Sequence, residues 1–113
     1  MPINLVIKPA QEKTGKRFTA IFRIHKAQGS LRERGEVGKV IKITHFGQRN
    51  PKKGTYIDHG DIKLRSAYRA RHKSDLTTKD YKRAGFLSYY LLWGDNKSLK
   101  QNLSEFKSKY NLD

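Results

Sequence analysis

Between Gly85 and Gly94 the chain reads FLSYYLLW, seven large apolar or aromatic residues in eight positions. Only 35% of the 113 residues are hydrophobic, so no other stretch can compete with this one for the interior. A segment apolar on nearly every side must be enclosed on every side, whether helix or strand. Its length favours a short helix over about 85–93, ended by Gly94 in a left-handed position after the last turn. The rest of the fold has to supply a cover for it.

Three short runs upstream carry strand character. Ile3, Leu5 and Ile7 alternate with Asn4 and Val6 up to Pro9, which predicts a strand over about 3–8. RFTAIFRIH predicts a second over 17–25, with Phe18, Ala20, Phe22 and Ile24 on one face and Thr19, Ile21, Arg23 and His25 on the other. KVIKITHF predicts a third over 39–46, with Ile43 continuing an apolar face and Lys42 opposite. Residues 10–16 read as a turn and 27–38, with three glycines and mixed charge, as a loop. An antiparallel meander of three strands needs a layer packed on one face to be stable.

The second half has the helices for that layer. Asp61 is placed to cap a helix over about 61–73, in which Leu64, Ala67, Tyr68 and Arg71 share one face and Lys63, Arg65, Arg69 and Lys73 lie off it. Thr77 or Thr78 can open a further short turn with Asp80 near its start, and Gly85 breaks it. Ser98 followed by Gln101 is a capping-box pattern, and Leu99, Leu103, Phe106 and Tyr110 space a final helix over about 98–110. The expected fold is a single small α+β domain, residues 1–45 strand-rich and 46–113 helical, with segregated elements and no βαβ unit.

Charge is the second constraint. Lys and Arg number 25 against 10 Asp and Glu, a formal net charge of +15. Ten basic and three acidic groups lie in 1–45, eleven and four in 46–83, four and three in 84–113. The cationic surface therefore belongs to the first three-quarters, and the end reads as packing material. KLRSAYRARHK holds six Lys, Arg or His in eleven positions, preceded by the basic turn QRNPKKG. Arg49, Lys52, Lys53, Lys63, Arg65, Arg69, Arg71, Lys73, Lys82 and Arg83 are the candidate contacts to an anionic partner, since each phosphate met by a cation releases counterions. Tyr56, Tyr68 and Tyr81, interleaved with charge, are candidates to stack on bases, Tyr68 being also a core position.

Chemistry has one place to reside. Tyr56, Asp58, His59, Asp61 and His72 lie close along the chain, and His with Asp can bind a metal or move a proton. Asp61 already has a sufficient role as a cap, and none of the HExxH, GxSxG, GxGxxG or phosphate-loop patterns occurs. These five read as a structural network in which a His donates to an Asp and holds the turn before the helix. No catalytic residue, metal or cofactor is expected, nor a small-molecule substrate. The chain has no cysteine, which excludes disulfides and thiolate zinc sites. No run approaches the roughly 18–20 apolar residues of a membrane span, and MPINLVIKPA has neither the basic nor the long apolar region of a secretory leader.

From Phe46 onward a pattern emerges: Phe46-Gly47, then Tyr56, Asp58, His59 and Asp61, then Tyr68-Arg69-x-Arg71-His72, then Ala84, Gly85, Phe86, Ser88, Leu92 and Trp93, then Ser98-Leu99. Over roughly residues 46–104 this resembles a family of small basic proteins of nucleocytoplasmic large DNA viruses. The resemblance brings no enzyme activity or catalytic residues. It implies a viral setting, in which small basic proteins serve as minor capsid proteins or internal adaptors, or condense the genome. The expected location is the virion, and within an infected cell the cytoplasm or nucleus. The expected partners are capsid or other virion proteins, DNA or RNA, or an anionic inner-membrane surface. In that reading Phe86, Tyr89, Tyr90, Leu92, Trp93, Leu99, Leu103 and Phe106 form the packing or docking half, beside a cationic half.

Overall fold

A computed structural model describes residues 3–24, 39–48 and 54–113. Strands β1 (Ile3–Pro9), β2 (Lys16–Ile24) and β3 (Val40–Gln48) form an antiparallel sheet in the order β1-β2-β3. Helices α1 (Tyr56–His59) and α2 (Ile62–Arg71) follow, then a 3₁₀ stretch (Lys73–Thr78). Helix α3 (Ala84–Leu87) runs directly into a π-helical turn (Ser88–Leu92), and α4 (Leu99–Tyr110) completes the chain. The fold is the expected α+β arrangement, a three-stranded antiparallel sheet followed by helices. The predicted loop at 27–38 and most of the basic turn, Arg49 to Lys53, lie outside the described residues.

The sheet and helices meet in one core. Leu5, Ala20, Phe22 and Phe46 on the inner face of the sheet pack with Phe86, Leu87, Leu91 and Leu92 of the apolar segment and with Phe106 of α4. Burying such side chains contributes about 1.5–3 kcal/mol each. Tyr90, Trp93, Leu99 and Leu103 are half-buried against this cluster, and Tyr89 is buried. The aromatic half is therefore mostly interior to this chain. Its rings form a mutual array, with Phe106 and Tyr110 4.9 Å apart and Phe86 and Tyr90 5.3 Å apart.

Five local expectations change. Ile43 does not continue the inner face: Thr44 and Phe46 are buried, and Ile43 is 51% exposed. Thr44 and Phe46 stand opposite the inward Ala20 and Phe18, so by alternation Ile43, opposite Ile21, falls on the outer face; a register shift between Phe22 and Arg23 then brings Val40 rather than Ile41 opposite Arg23. On α2, Ala67 and Arg71 are exposed, while Arg65 and Arg69 turn inward beside Leu64 and Tyr68. Gly85 lies inside α3 rather than breaking a helix; a Cβ there would meet the Asp75 carboxylate at 2.8 Å. Thr77 and Thr78 end a 3₁₀ stretch rather than open a turn, though Asp80 does cap the next one, accepting from the Lys82 amide at 3.0 Å. Gly94 has no positive φ; its requirement is space, since a Cβ there would stand 2.2 Å from Tyr90 O.

A candidate nucleic-acid interface

The start of α2 is fixed by a compact set of hydrogen bonds. Thr55 caps α1: Asp58 Oδ2 accepts from the Thr55 amide and hydroxyl, both at 2.8 Å. Gly60, at φ 68, ends α1 in the left-handed region that a Cβ disfavours. One residue later Asp61 opens α2, its Oδ1 accepting from the amides of Lys63 at 2.9 Å and Leu64 at 3.2 Å. Two short helices thus follow each other with caps of the same chemistry. The Thr-x-x-Asp spacing of α1 is a cap signal legible in the sequence, additional to the one expected at Asp61.

Arg17, from β2, grips the first cap. Its Nη1 and Nη2 donate to the two Asp58 oxygens at 2.8 and 2.7 Å, a bidentate pair that ties the sheet to α1. This hydrogen bonding, with the Thr55 donors, holds the Asp58 carboxyl well below the usual carboxylate range and outweighs the opposing effect of burial. A depressed folded pKa stabilises above the unfolded value near 4 and is lost as the pH falls through the folded one. Arg17→Met is expected to lower stability by about 1 kcal/mol at neutral pH, allowing for solvent screening. Urea midpoints for both proteins measured downward from neutral pH should converge in acid. A gap that stays constant with pH would show that Asp58 does not titrate against Arg17.

The anticipated donation from a His to an Asp carboxylate in the turn before α2 is not what holds it. His59 Nδ1 accepts from the Asp61 backbone N–H at 2.8 Å, so in the neutral ring the proton sits on Nε2. The His59 ring lies 5.5 Å from Trp93, Trp93 stacks on Tyr68 at 4.3 Å and 6°, and Tyr68 stacks on His72 at 4.2 Å and 23°. Burial pushes the Tyr68 hydroxyl up to about 12. His72 Nδ1 in turn lies 3.3 Å from Asp75 Oδ2. Histidines 59 and 72 are the two ends of a ring column that fastens α2 to the end of the π turn. Among the described residues, no three His, Cys, Asp or Glu are grouped to hold a metal.

The inward arginines complete the fastening. Arg65 Nε donates to Gly94 O at 2.6 Å and its guanidinium pairs with Asp95. Arg69 reaches the same carboxylate at 3.3 Å. Arg65 also lies over Tyr56 and Arg69 over Tyr89, at 5.4 and 4.8 Å to the ring centres. Both are engaged within the fold rather than presented to a ligand. Lys82 and Arg83 are shared with Asp80, at 3.9 and 3.5 Å.

What α2 turns outward is different. Lys63, Ser66, Ala67, Ala70 and Arg71 are exposed along it, with Lys73 just beyond its end. No protein-family model, curated protein or solved structure matches this chain. The interface is therefore judged on its geometry. Among the described residues, Lys63, Arg71 and Lys73 form no ion pair, and the side chains between them are small enough for a phosphate chain to approach closely. Arg71 also borders a cleft of about 540 Å³ beside Gln48, Thr55, His72 and Trp93. Arg49, Lys52 and Lys53 lie outside the described residues.

The tyrosines have other work. Both faces of Tyr68 are covered by Trp93 and His72, and Tyr81 packs against Phe22, Phe106 and Tyr110. Neither offers a platform to a base. No helix among the described residues is long and apolar enough to cross a membrane.

Proposed function

We propose that this protein binds nucleic acid through its phosphate backbone, without sequence preference. The outer face of α2 carries the reading, because it combines small residues with cations that form no ion pair among the described residues. The rest of the ionic map supports it. The carboxylates of Asp58, Asp61, Asp75, Asp80, Asp95 and Glu105 all have partners within the chain. With those carboxylates engaged internally, Lys63, Arg71 and Lys73 meet none of them among the described residues. With Tyr68 and Tyr81 enclosed, stacking on bases has little part in it, and phosphate contacts position without specifying.

Labelled duplex and single-stranded DNA, titrated with the protein at 50 and 200 mM salt, test this. Three phosphate contacts predict about a 40-fold loss of affinity over that range, from a slope near −0.9 per contact. Combined Lys63→Glu, Arg71→Glu and Lys73→Glu should abolish most of the binding and flatten the slope. Reversing Lys107 and Lys109 on α4 should change it little. Absence of binding at 50 mM would sink the proposal, and equal binding to anionic vesicles would reassign the surface to polyanions in general.

The resemblance supplies the setting: a protein of this kind would accompany a packaged viral genome. Mass spectrometry of purified particles should then find it in many copies.

A further inference from the structure

Among the described residues, five of the six exposed large apolar side chains lie on the sheet and none in the aromatic segment, the sixth being Ile62 on α2. Val6, Ile21 and Ile43 pair across the three strands in one row on the outer face. Val6 is 44% and Ile43 51% exposed, with Val40 and Ile41 exposed beside them.

The two edges of that sheet are treated differently. At β1 the edge is closed over Ile3 and Leu5: the Leu5 amide donates to Asp113 O, and the Asp113 amide donates to Ile3 O, both at 2.8 Å. These bonds also fix the phase of the whole ladder. Leu5 and Ile3 point their backbone groups away from β2, so their partners Phe22 and Ile24, and with them Ala20 and Phe18, point theirs toward β3. Thr44 and Phe46, opposite Ala20 and Phe18, answer toward β2. The N–H and C=O of Ile43 and His45 are thereby directed outward, and among the described residues nothing pairs with them. Unpaired edge groups are a template for another strand unless blocked by charge, proline or a covering element.

Beside this edge runs a groove of about 580 Å³. Lys42, Ile43 and Thr44 line one side, and Lys82 and Arg83 the other. Thr44 Oγ1 donates to Lys82 O at 2.6 Å and holds the two walls together. The groove's carboxylates are already engaged, Asp80 with Lys82 and Arg83, Asp75 with His72.

We propose that the β3 edge is a strand-addition site for an extended acidic segment of a partner protein. Three features select that occupant. Outward N–H and C=O groups in the plane of a sheet are matched by another peptide backbone, whereas a bilayer interior has no partners for them. The row ending at Ile43 offers apolar contact to alternate side chains of an added strand. Lys42, without an ion pair among the described residues, lines the groove, where Lys82 and Arg83 together outnumber the one Asp80 they share; with the chain's net charge of +15 this favours an acidic strand and opposes a second copy of equal charge. The proposal uses a different surface from α2 and does not depend on nucleic-acid binding.

The probe is a synthetic nine-residue peptide alternating Glu and Val, with an oligo-glutamate of equal length as control. Saturation with the Glu-Val peptide should slow amide hydrogen exchange at Ile43 and His45 at least tenfold, leaving Thr44 and Phe46, already bonded to β2, unchanged. Ile43→Pro removes an outward N–H and leaves the ladder to β2 intact; it should weaken the peptide at least tenfold. Lys42→Glu with Arg83→Glu should do the same while keeping the backbone donors, so the test survives if the proline variant folds poorly. Unchanged exchange at Ile43 and His45 would overturn the proposal. So would equal protection by oligo-glutamate, which would mean charge alone, or concentration-dependent protection without peptide, which would assign the edge to a second copy.

Discussion

Asn102→Ala is expected to destabilise the fold by about 3–4 kcal/mol and to lower the melting temperature by about 12–20 °C. Asn102 is 3% exposed and uses all of its hydrogen-bonding capacity. Its Nδ2 donates to Leu91 O at 3.0 Å and Asn96 O at 2.8 Å, and its Oδ1 accepts from the Asn96 amide at 3.0 Å and side chain at 3.2 Å. One amide on α4 therefore holds the end of the π turn and the loop that follows it. Alanine leaves the Leu91 carbonyl and Asn96 amide unpartnered at about 1–3 kcal/mol for each fully buried group, and adds a void. Asn102→Asp separates the two halves of this role. It keeps an acceptor for Asn96 but sets a carboxylate against two carbonyls, so it should be as damaging near neutral pH and recover partly in mild acid. Thermal melts of the three proteins decide the matter; an Asn102→Ala loss within a few degrees would mean that the loop is held by something else.

Gly94→Ala is expected to cost about 3 kcal/mol, through overpacking rather than through backbone conformation. A Cβ at this position would stand 2.2 Å from Tyr90 O and 2.9 Å from the Asn102 side chain. The first obstacle is backbone at the end of a helix and cannot swing away. Movement here passes to Trp93, the chain's one tryptophan, whose ring rests on Tyr68. Intrinsic fluorescence should therefore change in the folded state as well as in the melting curve. Because Asn102→Ala relieves one of the two clashes, the double variant should lose less than the two single losses combined. Simple additivity would show that the two residues do not share this contact.

The elements readable from the sequence are those whose evidence is local. Period-two alternation at Phe18, Ala20 and Phe22 identifies the inner face of β2, and the Asp61 and Ser98 caps mark the starts of α2 and α4. What was not legible depends on distant partners. Arg65 and Arg69 match a solvated cationic face until Asp95, 30 and 26 residues away, draws them inward. Asn102 lies among amphipathic helix positions and gives no sign of the three hydrogen bonds it makes to Asn96, 6 residues earlier, or of the fourth to Leu91. On β3 both faces carry β-branched residues, so alternation alone could not tell Ile43 from Thr44. The candidate cations divide in the same way: Lys63, Arg71 and Lys73 face outward, while four of their companions have partners within the fold.

The closure of the β1 edge has a kinetic meaning. Asn4 Nδ2 and Asp113 O, 109 residues apart, lie within 3.3 Å. Closing a loop that long costs about 2 kcal/mol more entropy than closing a ten-residue turn. Contacts of this span form after the local hairpins that lead to them. During folding, then, the sheet passes through a stage with both of its edges open. The time to the last step, readable as the appearance of protection at the Leu5 amide, sets how long the chain is exposed to pairing with its neighbours.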